Sequence, residues 1–156
     1  MEWLHVVRWV HIVGATVLLG TGAGIAFFML SAHRSRDAAL IAHVAATVVV
    51  ADMLFTTTAV IVQPISGVLL AHLTGWSLST PWILLSIVLY VVTGLCWLPV
   101  VLIQMRMRDL ARDAAATGTP LSERYDRLFR AWLLLGFPAF ASVLAIMWLM
   151  VARPAL

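Results

Sequence analysis

Few side chains in this chain are equipped for chemistry, and two of them sit inside apolar runs. His11 lies within Trp9 to Leu30, WVHIVGATVLLGTGAGIAFFML, a run of 22 residues without a charge. His72 closes the second apolar run at the same level, by the 1.5 Å rise of a helix. Two imidazoles at matched depth on different helices can grip the iron of a b-type haem from both faces. Arg8, one turn before His11, is then placed for a propionate, an anion that prefers the watery edge. On a 100° wheel His11 shares a face with Ala15, Leu18, Gly22 and Met29, so small residues, Gly22 among them, lie beneath the imidazole. The alternative is that His72 sits among headgroups and His11 hydrogen-bonds a neighbouring helix. His5 is a second candidate partner at this level, but lies 240° around the same helix from His11. His33 and His43 form a weaker pair toward the other end, or are interfacial polar residues.

Asp52 is the one acid within an apolar stretch, VVVADMLFTTT. An intramembrane carboxylate is a candidate proton carrier and catalytic group. The other reading hydrogen-bonds it near Thr56 and Thr57, holding helices together. Gln63, Gln104, Tyr90 and Thr93 read as structural polar residues. No Ser/His/Asp grouping, CxxC pair, phosphate loop or nucleotide fingerprint occurs, so hydrolytic and nucleotide chemistry gain no support.

The elements that must position these groups are set by composition. The 156 residues are 63% hydrophobic and 11% charged, with a mean hydropathy of +1.02. A soluble domain of this size cannot hide so much apolar surface, so the chain reads as integral membrane. The expected architecture is all-α, a four-helix bundle in one domain, 1–156, with spans at about 9–30, 38–73, 82–105 and 131–152. Ser31 to Asp37 reads as a polar turn, Pro64 and Gly67 as a kink or break, and Thr80-Pro81 as a capped helix start. Glu123 with Arg127 and Asp126 with Arg130 are spaced as i,i+4 pairs. Gly20 and Gly24 are spaced as a GxxxG packing pair. Cys96 is alone, so no disulfide forms within the chain. Glu2 and the length of the first run argue against a cleaved signal peptide.

The net charge of +3 comes from ten arginines, with no lysine. Eight of them (Arg34, Arg36, Arg106, Arg108, Arg112, Arg124, Arg127 and Arg130) flank the first and third turns; Arg8 and Arg153 lie at the other end. The positive-inside rule then places both termini on the periplasmic side of a bacterial inner membrane. Trp3, Trp9, Trp76, Trp82 and Trp148 gather at that side as an interfacial belt. The basic balance reads as a topology signal, or as a hold for anionic lipid headgroups, and not as nucleic-acid binding.

The first span with its flanks, QPISGVLLAHLTGW and WLPVVLIQMRMRDLA resemble a bacterial family of small four-span membrane proteins, a domain of unknown function. The resemblance covers most of the chain. That family is in turn distantly similar to HemJ-type protoporphyrinogen oxidases and CopD-like membrane domains. In HemJ-type proteins one histidine early in the first span precedes another at its far end, positions matched here by His11 and His33. The resemblance implies a haem-binding bundle with His11 as a ligand. HemJ-type proteins also carry a functional lysine after a Gly-Trp. Here Gly75-Trp76 leads into SLSTPWILL, a departure that touches porphyrinogen oxidation and leaves haem binding standing.

The expectation drawn from the sequence is a b-type haem-binding membrane protein of redox chemistry, with His11 and His72 as axial ligands, exchanging electrons with a quinone or a partner protein. Two rivals stand beside it. One is a cofactor-free subunit packing through Gly20 and Gly24 in a homo-oligomer or larger complex; the other is a small proton-coupled transporter using Asp52.

Overall fold

The computed structural model describes residues 2–154, and within them the chain is helical with no strand. Four long helices result: α1 (Glu2–Ser35), α2 (Ala38–Thr74), α3 (Pro81–Thr117) and α4 (Glu123–Ala152), each long and apolar enough to cross a membrane. Backbone donors and acceptors find no water in hydrocarbon, so continuous helices are what such sequences can form there. At 37 residues, α2 and α3 are about 55 Å long. They therefore outreach the roughly 30 Å apolar core.

The turns are tight. α1 runs on through the expected polar turn to Ser35, and Arg36 takes a left-handed φ of 57° to reverse the chain. The Asp37 carboxylate then caps α2, accepting from the Ala39 and Leu40 amides at 2.9 and 3.1 Å. Gly75 (φ 73°) and Gly118 (φ 65°) end α2 and α3 in the conformation glycine adopts without a Cβ clash. Pro81 opens α3, but Thr80 caps it with its carbonyl and not with the expected hydroxyl; the Ile83 and Leu84 amides donate to it. Ser122 caps α4 through its side chain.

Toward the arginine-rich end all four helices share one core, built from Ile25, Met29, Ile41, Ala45, Met107, Ala111, Tyr125, Phe129 and Trp132. Here α3 packs along α4 and the first half of α2 packs on α3. Toward the other end the second half of α2 leaves α3 for α1. The crossover is marked by one π-helical turn, Asp52–Thr56, in which the Thr57 amide bonds the Asp52 carbonyl five residues back. No break occurs at Pro64 or Gly67, and the helix runs through both.

Candidate functional site

Proline at position 64 has no amide hydrogen for the Val60 carbonyl. The Tyr90 hydroxyl of α3 donates to that carbonyl instead, which ties the diverging halves together. The π turn has the larger consequence. It adds a residue to the turn, and both Asp52 and Thr56 end up facing inward. The buried seam of α2 then reads Asp52, Thr56, Ala59, Gln63 and Ser66, four of the five polar. From Asp52 to Ser66 this seam climbs about 21 Å at helical rise.

Asp52 is 3% exposed. The Trp97 indole N–H donates to its Oδ1 at 3.4 Å. Gln104, fully buried, donates from Nε2 to Oδ2 at 2.7 Å and accepts the Trp132 indole N–H on its oxygen at 3.1 Å. An indole nitrogen only donates, so the Gln104 oxygen must face Trp132 and its NH2 must face Asp52. Both carboxyl oxygens of Asp52 are thus met by donors. The Thr56 hydroxyl stands beside the same carboxyl, buried and without a hydrogen-bond partner among the described residues.

Farther along the seam, Gln63 Nε2 donates to the His11 carbonyl at 3.0 Å, while Gln63 Oε1 is buried and unpartnered among the described residues. Ser66 Oγ lies 2.8 Å from His11 Nδ1 and 2.8 Å from the Val62 carbonyl. The hydroxyl has one proton; directed to Val62, it leaves a lone pair for His11 Nδ1–H. The half-buried imidazole then carries its free lone pair on Nε2. Two glycines let α1 and α2 come this close. A Cβ on Gly14 would stand 3.0 Å from Gln63 Nε2, and one on Gly67 would stand 3.3 Å from His11 Cε1.

Several expected site residues are placed elsewhere. His72 is exposed. It lies six residues beyond Ser66, the partner of His11, about 9 Å along α2 and 240° around it. At that angle the two imidazoles are not set to face a common iron, and the His11 ring instead packs on Gly67 with Nδ1 against Ser66. The residues present do not fit a bis-histidine haem. Arg8 and His5 are exposed on α1. Gly22 faces α4, where an added Cβ would lie 3.9 Å from Phe140. Gly20 and Gly24 have open space beside them, so the GxxxG pair packs against nothing within this chain. Trp82 is buried with Ile83 and Leu149 and meets Trp76 edge to face, centroids 5.5 Å apart, while Trp3, Trp9, Trp76 and Trp148 are exposed.

Beyond the apolar runs, at the arginine-rich end, the His33 ring stacks on Phe129 with centroids 3.6 Å apart, and Phe129 stacks on Trp132 at 5.6 Å. His33 Nδ1 lies 3.4 Å from the hydroxyl of Tyr125, which is fully buried. Burial, then the charge of Arg36, holds the His33 imidazole below its ordinary range, with Asp126 opposing. Burial pushes the Tyr125 phenol up to about 12. Arg36 grips Asp126 with two nitrogens, at 2.6 and 3.1 Å. Asp126 therefore does not form the expected pair with Arg130, whose Nε donates to the Asp126 backbone carbonyl. Glu123 and Arg127 do pair, at 3.6 Å. His43 is exposed on α2. Among the described residues no group of three or more His, Cys, Asp or Glu converges as a metal site.

With this geometry in place, comparison with known families is decisive for kinship. Residues 5–154 match the family described as predicted integral membrane protein (DUF2269). The chain belongs to that family. No curated protein and no solved structure matches it. The kinship of this DUF2269 chain agrees with its four apolar helices; a similarity to HemJ-type or CopD-like proteins is not shown by it.

Ser66, Trp97 and Trp132 were missed in the sequence, where Gln63 and Gln104 read as structural polar residues only. Gln63 and Ser66 had a signal: Asp52, Thr56, Gln63 and Ser66 fall at i, i+4, i+11 and i+14, one helical face of polar residues in an apolar span.

Proposed function

We propose that this protein carries protons across a bacterial inner membrane, with its arginine-rich face cytoplasmic. Asp52 is the group that takes and releases the proton. Thr56, Gln63, Ser66 and His11 form the route to the opposite face. The observation that carries this reading is the pair of orphaned atoms on the seam. Thr56 Oγ1 and Gln63 Oε1 are buried without partners among the described residues, and both lie between the two titratable groups. A buried polar atom left unpaired costs about 1–3 kcal/mol, so a seam holding two of them is suited to a passing proton or its water. Asp52 lies at the depth of Gln104, two residues from Arg106, so the cytoplasmic surface is near it. His11, three residues inside Arg8, stands near the far surface with a lone pair on Nε2.

The experiment is proton flux into liposomes holding a pH-sensitive dye, driven by a potassium diffusion potential. The wild-type protein is expected to acidify the lumen at least about tenfold faster than Asp52→Asn, which takes away the titrating group. Wild-type flux no greater than that of empty liposomes overturns the reading.

A further inference from the structure

Asp52 is linked to the arginine-rich face by a directional chain the proton route does not use. Trp132 N–H donates to Gln104 at 3.1 Å, and Gln104 donates to Asp52 at 2.7 Å. Behind Trp132 stands Phe129, with His33 stacked on it in nearly parallel planes, 6° apart. We propose that Gln104 is a positioning residue that reads the protonation of Asp52 and passes it, through Trp132 and Phe129, to His33.

The argument is one of donors and acceptors, and it rests on Asp52 being the group that takes the proton. A carboxylate accepts from Gln104 and Trp97 together, and the whole chain is satisfied. A proton on Oδ2 sets an O–H against the Gln104 NH2. If the amide turns to accept that O–H, its NH2 then opposes the Trp132 N–H, two donors face to face, and the indole must move. A proton on Oδ1 can point at the unpartnered Thr56 hydroxyl while the same oxygen still accepts from Trp97. Oδ2 is then a neutral carbonyl oxygen, a weaker acceptor for the Gln104 NH2 than a carboxylate. Protonation therefore turns the acid toward the seam and loosens Gln104, and the loosened amide is felt along the aromatic stack. The run Ile12 to Ala32 of α1 brings no titratable group to this chain. The groups facing His33 are Tyr125 and Asp126 from α4 and Arg36 from the turn.

The test is a double-mutant cycle read at His33 by NMR of the imidazole, on the full chain in nanodiscs. Asp52→Asn is expected to change the proton affinity of His33 by about twofold or more in the wild-type background, and to change nothing in a Gln104→Met background. Direct Coulomb coupling between the two sites survives the Gln104 exchange, because methionine leaves both charges in place. A change of equal size in both backgrounds, or none in either, overturns the proposal. Should Gln104→Met fail to fold, Trp132→Phe cuts the same chain one link later and must also silence His33. A silent His33 with intact proton flux removes this inference alone; a responsive His33 without flux removes the proposed function alone.

Discussion

At the scale of single residues, this chain gives most of its buried polar atoms a specific neighbour, Thr56 Oγ1 and Gln63 Oε1 excepted among the described residues. The Tyr90 hydroxyl exists in this scheme to satisfy the carbonyl that Pro64 leaves bare. Tyr90→Phe keeps the ring and removes the donor, so its cost is that of one unsatisfied acceptor. We expect a loss of about 1 kcal/mol in reversible unfolding from bilayers or mixed micelles, in line with hydrogen bonds measured inside membranes. Glycines give a sharper contrast. Gly14→Ala places a methyl 3.0 Å from Gln63 Nε2 and displaces the amide from the His11 carbonyl. Gly20→Ala meets open space. The first should cost about 1 kcal/mol and the second less than about 0.5 kcal/mol, since an exposed methyl on a helix disturbs little. Equal stabilities for the two variants would refute the assignment of Gly14 as a contact glycine.

At the scale of elements, the deciding feature is the π turn, Asp52–Thr56. In a regular α-helix each added residue rotates the remainder by about 100°, but a π turn takes up the extra residue locally. Deleting the exposed Met53 therefore lets α2 close to the ordinary pitch with its two halves in the register they have now. The expected outcome is a folded protein with helix content unchanged by circular dichroism and proton flux close to wild type. Flux at the Asp52→Asn level would show that the widened turn itself, and not the register, presents Asp52 to the seam. This turn also explains what was legible beforehand. The four spans and their turns were readable from runs of apolar residues long enough to cross a bilayer, because burial in lipid is a property of composition. Thr80-Pro81 announced the start of α3 by residue type. Which faces meet was not legible. VVVADMLFTTT carries no mark of an i→i+5 hydrogen bond, and without it the facing of the second half of α2 relative to the first cannot be read. The histidines misled for a related reason. Matched depth put His11 beside His72, but angle around α2 assigned it to Ser66.

At the scale of the molecule, the two ends are held by different means. The end away from the arginines relies on close helix contact through Gly14 and Gly67. The arginine-rich end adds a clasp: Arg36, in the turn between α1 and α2, reaches Asp126 on α4 with two nitrogens. This clasp lies beside His33 at the outer end of the His33–Phe129–Trp132 stack. The Arg36 guanidinium holds the Asp126 carboxyl below the usual carboxylate range. A carboxyl depressed in the folded state contributes stability above its unfolded value, near 4, and loses it as pH falls through the folded value. The pair is well exposed, 51% and 34% for the two side chains, so screening keeps its worth under about 1 kcal/mol. Between pH 7 and 5, wild type should therefore melt slightly above Asp126→Asn. Below about pH 4 the gap should close, because protonated Asp126 and asparagine are then alike in charge. High salt should narrow the gap at pH 7 as well, since exposed pairs are screened within about 10 Å at 0.1 M. A gap that persists at pH 2, or that widens on acidification, would mean that Asp126 acts through packing on Tyr125 and not through its charge.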